Sequence, residues 1–221
     1  MKFFAINGSP RKDANTAQVL NKALEGVKSV ISDCEVEVIN LYELNFTGCK
    51  SCFACKKIGG AHYGMCPLND ELNPKLKELV QCDGIILGSP IYFGDLTGEM
   101  RSFLERLMFP HLVYDKDSTV ISPKKMPIGL FLTMNVTEEI ADDKNFDYKY
   151  IFSKLESILE RIFKKPYIKY VYNTYQFSDY SKYESSAFDE NEKAKYREEQ
   201  FPKDLEDSFN IGVKIANDAM K

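Results

Sequence analysis

The 221-residue sequence has no apolar run long enough to cross a bilayer. Its longest runs, such as Gly84–Leu87 and Ile128–Leu132, are of strand length. No secretory signal is expected either. Met1–Ile6 is too short for the apolar core of a leader, and no small-residue cleavage site follows it. Positive charge is not in excess: the formal net charge is −4, which argues against a nucleic-acid partner. No Ser-His-Asp set is readable, nor a Cys-His pair with a clear partner. Internal repeats and low-complexity tracts are also lacking. These absences point to a cytoplasmic protein with no membrane partner, in a compartment where thiols stay reduced.

What is present is an ordinary globular composition, 44% hydrophobic and 28% charged. The length suits one large domain that needs no disulfide staples. Strand and helix patterns alternate along it. Strands are expected at Lys2–Ile6, Glu35–Ile39, Gly84–Gly88, Pro127–Thr133 and Tyr167–Tyr172. Helical stripes fall over Thr16–Ile31, from Asn73 as N-cap with Pro74 next, and over Thr97–Met108. A further stripe uses Ile151, Phe152, Leu155, Ile158, Leu159 and Ile162 and stops before Pro166. The last helix opens at Pro202, with Leu205, Phe209, Val213 and Ala216 inward. This order predicts an α/β fold with a doubly wound, five-stranded parallel sheet and helices on both faces. Residues 1–172 form the domain, with a cysteine-rich loop at 48–69. Residues 173–221 add an arm and a helix to the same domain.

Two loops lie at the carboxyl ends of strands, where ligands bind in this architecture. The first is Asn7-Gly8-Ser9-Pro10-Arg11-Lys12-Asp13-Ala14-Asn15-Thr16. It enters a helix, whose free N–H groups and dipole favour an anion. Ser9, Asn15 and Thr16 add neutral donors and Arg11 a charged one. No Gly-Lys-Ser/Thr follows the glycine, and no Gly-x-Gly-x-x-Gly is present, so neither a P-loop nor a dinucleotide site fits. A bland reading is a capped helix after a tight turn, with Asn15 or Thr16 as the cap. The second loop is Ser89-Pro90-Ile91-Tyr92-Phe93-Gly94, in which Pro90 and Gly94 shape the turn and Tyr92 and Phe93 offer flat surfaces. A loop whose aromatics only pack on the next helix is the alternative.

The long loop carries Cys49, Cys52, Cys55 and, after ten residues, Cys66-Pro67. The C-x2-C-x2-C opening and the terminal Pro match the ferredoxin run for a [4Fe–4S] cluster. Zn2+ held by four cysteines, or by three with His62, is a second reading. A Cys52–Cys55 redox pair and free thiols are others. Cys34 and Cys82 sit beside strand residues as small buried hydrophobes, and isolated His111 reads as structural.

Gly8-Ser9-Pro10-Arg11 with Asn15-Thr16, followed by Ser89-Pro90-Ile91-Tyr92-Phe93-Gly94, resembles the NADPH-dependent FMN reductase family. The cysteine motif between the second strand and the next helix resembles its iron–sulfur flavoprotein branch. The resemblance covers the chain to about residue 172 and implies a flavodoxin-like fold. It implies that Ser9, Arg11, Asn15 and Thr16 hold an FMN phosphate. Pro90, Ile91, Tyr92, Phe93 and Gly94 would line the isoalloxazine, and Thr133, Met134 and Asn135 would close a third side. The implied activity is NAD(P)H-dependent reduction of a flavin, quinone or other small-molecule electron acceptor. The alternative is a carrier that takes electrons from a ferredoxin-like protein through a [4Fe–4S] cluster on Cys49, Cys52, Cys55 and Cys66 to FMN. Flavin chemistry needs no protein nucleophile or general acid. The arm at 173–200 sets Tyr175, Phe177, Tyr180, Tyr183, Phe188 and Tyr196 among many charges. Aromatics in a polar setting predict an interface, in a homodimer or a dimer of dimers.

Overall fold

The computed structural model describes residues 1–122 and 124–221. Chain order is β1 (Lys2–Asn7), α1 (Asn15–Val30), β2 (Glu35–Asn40), α2 (Leu72–Leu79), β3 (Gly84–Tyr92), β4 (Asp95–Leu96) and α3 (Gly98–Met108). Then come β5 (Ile128–Thr133), α4 (Glu138–Asp142), α5 (Tyr148–Ile162), β6 (Tyr167–Val171), α6 (Glu190–Glu199) and α7 (Phe201–Ala219). Five strands pair in parallel in the order β2-β1-β3-β5-β6, the flavodoxin-like order. The sixth, β4, pairs antiparallel with the end of β3.

The central strands β1, β3 and β5 are apolar because both their faces are covered. On one face Phe4, Ile6, Ile85, Leu87, Leu130 and Leu132 meet α2, α3 and α5. On the other, Phe3, Ala5, Ile86 and Phe131 meet α1 and α7. The helices α1 and α7 touch backbone to backbone. A Cβ added at Gly212 would stand 1.9 Å from Ala23 O, and one at Gly26 would stand 2.0 Å from Phe209 O.

Several expectations from the sequence are corrected. β3 runs on to Tyr92, so Ser89–Tyr92 is strand rather than loop, and Phe93-Gly94 is a two-residue turn into β4. Both turn residues have positive φ, +53° and +79°, the signature of a tight hairpin whose twist suits the strands. Asn73 is not an N-cap. α2 starts one residue earlier, Asp70 Oδ1 accepts from Asn73 N at 3.2 Å, and the Asn73 side chain points back at the cysteine loop. Ile151 and Ile158 are each 40% exposed, because α5 turns Tyr148, Phe152, Leu155 and Leu159 inward. On α7 the buried stripe is Phe201, Asp204, Ser208, Ile211, Gly212, Ile215 and Ala216; Ala216 faces inward as expected, while Leu205, Phe209 and Val213 lie at its margin. Gly212 lies on that face because the close crossing of α1 leaves no space for a side chain there.

Candidate functional site

The carboxyl end of β1 is fixed by the fully buried Asn7. Its Oδ1 accepts from Ser9 N at 3.0 Å, and its Nδ2 donates to Asn40 Oδ1 at 3.1 Å. Gly8 N donates to Gly88 O at 2.8 Å, and Gly8 O accepts from Thr97 Oγ1 at 2.7 Å. A Cβ at Gly8 would stand 3.0 Å from Met100 and 3.2 Å from Gly88 O, which explains the glycine. Thr97 also caps α3, and Ser89 Oγ accepts from Thr97 N, so the first and second loops share one buried network.

Neither Asn15 nor Thr16 caps α1. The N-cap is Ala14, extended at φ −85° and ψ −167°, and α1 has no side-chain cap among the described residues. Thr97, Thr137, Asp147 and Asp189 cap α3, α4, α5 and α6 with side-chain oxygens, while α2 and α7, like α1, lack a side-chain cap. The N–H groups of the opening turn of α1 are left without intrahelical partners. Such N–H groups, with the helix dipole, can accommodate an anion.

Ten of the twelve residues expected to contact a cofactor line one cleft at the start of α1. They are Ser9, Arg11, Asn15 and Thr16, then Pro90, Ile91 and Tyr92, then Thr133, Met134 and Asn135. A buried hydroxyl pair, Thr16 Oγ1 and Thr133 Oγ1 at 2.8 Å, ties the first loop to the third. Phe93 and Gly94 are not among the lining residues. They form the rim turn, and Phe93 is fully exposed.

Sequence reasoning missed Ala14, Thr174 and Gln176, which complete the lining. It also missed how the arm is tied down. Arg11 Nη1 donates to Gln176 O at 2.7 Å and Asn15 Nδ2 to Tyr175 O at 2.9 Å. Arg197 on α6 donates to Asn15 Oδ1 and Gln18 Oε1, each at 2.9 Å. Lys193 is buried, with Nζ 2.8 Å from both Asn135 O and Asn173 Oδ1. Burial lowers its pKa to about 8. The one local signal was Asn173, an αL-tolerant residue placed where the chain turns at φ +44°.

The cysteine loop forms a second cavity. Cys49, Cys52, Cys55 and Cys66 all line it, together with Phe53, Phe109, Pro67 and Pro110. None of the six cysteines is paired in a disulfide. Ser51 and Phe53 adopt positive φ, +51° and +57°, which coils the C-x2-C-x2-C segment. Cys55 is buried, and burial pushes its thiol pKa up against the opposing pull of Lys56. Cys49 N donates to Glu105 Oε2 at 3.0 Å, and Cys66 O accepts from Asn73 Nδ2 at 2.8 Å. Among the described residues no three His, Cys, Asp or Glu side chains are already gathered tightly enough to hold a single metal ion. The four thiols thus share a cavity without being closed on its centre. Cys34 and Cys82 are buried apart from it. His111 is buried with Nδ1 unpartnered among the described residues. Burial first, and the Lys56 charge second, lower its pKa to about 4.

The sheet order, with a cleft beyond the carboxyl ends of β1, β3 and β5, defines a flavodoxin-like protein. Residues 1–124, more than half of the chain, match the NADPH-dependent FMN reductase family, and the chain belongs to that family. An iron–sulfur flavoprotein of Methanocaldococcus jannaschii is 35% identical over 106 residues, 48% of this chain and 51% of that protein. Another, from Clostridioides difficile, is 27% identical over 173 residues, 72% of this chain and 75% of that protein. The FMN-dependent NADH-azoreductase of Bacillus anthracis, solved in complex with FMN, shares the fold with a TM-score of 0.66. It is 13% identical, and the match covers 98% of this chain and 100% of that one. The chain spans about half the length of most curated relatives it matches. Among the described residues no helix is long and apolar enough to cross a membrane.

Proposed function

We propose that the chain binds FMN in the three-loop cleft and catalyses NAD(P)H-dependent reduction of a small acceptor such as a flavin or quinone. The observation that carries this is the uncapped start of α1, opening into a cleft that also holds Ser9, Arg11 and Thr16. A phosphate monoester fits that donor set: backbone N–H groups, hydroxyls and one guanidinium. The ends of β3 and β5 fit a flat ring, since Pro90, Ile91 and Met134 present carbon and strand-end backbone presents polar edges. When bound, the flavin supplies the electron- and hydride-accepting chemistry. Thr16 and Thr133 orient the phosphate side, Tyr92 flanks the ring side, and the arm residues Thr174 and Gln176 narrow the mouth. One phosphate seat favours FMN over FAD. The test is heat release and chromatography of the bound flavin, followed by anaerobic addition of NADPH. FMN that bleaches on addition supports the reading, and FAD as the main flavin refutes it.

A second reading has its own support in the shared cavity of the four cysteines and in the names of the iron–sulfur relatives. In it Cys49, Cys52, Cys55 and Cys66 hold a [4Fe–4S] cluster, and a ferredoxin-like protein is the donor. Thiols on a coiled segment fit such a group, and Lys50, Glu105 and Arg106 line the cavity beside them. Anaerobic reconstitution should load about four irons per chain, and Cys66→Ser should lose iron while keeping FMN. No iron after reconstitution leaves the plain reductase. For assembly we retain a homodimer or dimer of dimers, supported by exposed Phe93, Tyr183 and Phe188. Sedimentation of the full chain against a Tyr183→Lys variant tests it.

A further inference from the structure

Arg106 on α3 is buried to 2% exposure, an uncommon place for a guanidinium. Its Nη atoms are committed. They grip both Asp70 oxygens, with Nη2–Oδ1 at 3.0 Å, and bond Thr47 O at 3.1 Å and Leu68 O at 3.4 Å. Thr47 precedes Cys49 by two residues, and Leu68 and Asp70 follow Cys66. One side chain therefore clamps both limbs of the cysteine loop. The remaining donor, Nε–H, is buried and has no partner among the described residues.

A buried donor of a charged group left without a partner is costly, so the orphan points to an acceptor. Cys66 is beside it. Arg106 and Cys66 together line the cysteine cavity and also the apolar hollow behind it. A neutral thiol is a weak acceptor and a metal-bound thiolate is a strong one. We propose that Arg106 Nε–H donates to Cys66 Sγ when Cys66 ligates a metal centre. Arg106 is then a positioning residue: it fixes the most distant ligand of the set and, by bonding the sulfur, raises the reduction potential of the centre. The proposal rests on the metal-binding reading of the cysteine loop.

The test uses the full chain, reduced and free of metal, titrated with Co2+ and followed by thiolate-to-cobalt absorption. Arg106→Lys keeps a cation for Asp70 but lacks the Nε donor. Asp70→Asn loosens the clamp but keeps Nε–H. Arg106→Lys should weaken Co2+ by about tenfold or more, as loss of an outer hydrogen bond does at metal sites, and Asp70→Asn should weaken it less. FMN affinity should stay within about twofold of the parent in both, which reports an intact fold. After iron reconstitution, the midpoint potential should fall in Arg106→Lys and hold in Asp70→Asn. Equal effects of the two variants on affinity and potential would make Arg106 only a brace and overturn the proposal. So would an unchanged Arg106→Lys, the result expected if Nε–H instead serves His111 through a water. A parent chain that gives no thiolate–cobalt band and takes up no iron removes the metal reading itself, and the donor role falls with it.

Discussion

Ala14→Asp should make the protein more stable and a poorer flavin binder at once. Ala14 stands at the N-cap of α1 in extended conformation, with no side-chain oxygen to offer the opening turn. A carboxylate there caps the helix and meets its dipole. Capping contributes about 0.5–2 kcal/mol, and the dipole adds about 0.3–1 kcal/mol. For a chain of this size each kcal/mol raises Tm by roughly 2–4 °C, so the flavin-free variant should melt several degrees higher. The same carboxylate occupies the amides that would bind the FMN phosphate and repels it. Losing one hydrogen bond to a charged group costs about 1.5–3 kcal/mol, or about 10- to 100-fold in Kd. Ala14→Ser, which caps without charge, should raise Tm by less and weaken FMN by less. Thermal unfolding of the flavin-free protein and quenching of FMN fluorescence read the two effects separately. A higher Tm with Kd within twofold of the parent would refute the reasoning, because the phosphate would then sit elsewhere.

Other outcomes follow from the same structure. His111 is neutral in the fold with a pKa near 4, against about 6.5 unfolded. As pH falls from 7 to 5 the unfolded chain takes up a proton that the folded chain refuses, so stability drops by about 2 kcal/mol. Urea unfolding at both pH values checks this, and His111→Phe should flatten the difference. Gly212→Ala drives a methyl into Ala23 O and should destabilise by at least about 2 kcal/mol, with no mechanism acting through the cleft. Phe93, exposed at positive φ before Gly94, occupies a position that Asn fits better. Phe93→Asn should therefore raise stability by up to about 1 kcal/mol. If Phe93 serves the flavin or its substrate, reductase turnover should drop in the same variant; unchanged turnover would confine Phe93 to the turn.

Much of this protein is written in short-range sequence. The strands show because Phe3–Ile6, Ile85–Leu87 and Ile128–Leu132 are apolar without interruption, as strands covered on both faces must be. The first candidate loop shows because glycine, serine and arginine stand between such a strand and an amphipathic helix. Local pattern failed where the identity of the neighbour decides. Leu205, Phe209 and Val213 make a plausible apolar stripe, yet Ile211, Gly212 and Ile215 face the core, and at Gly212 only a glycine admits the backbone of α1. Asp204 is buried among them because Lys169, on β6, stands 3.0 Å away. Ile151 and Ile158 repeat at helical spacing but lie on the side of α5 that the sheet does not cover. The cysteines could be counted from sequence. That they share a cavity, clamped through Arg106 to Thr47 and Asp70, depends on where α3 lies. The arm reads as a polar stretch, and only folding brings Arg197 to Asn15, 182 residues away. Periodicity and turn chemistry act over a few residues and so survive in the linear chain. A contact between distant residues is set by packing, and no local pattern encodes it.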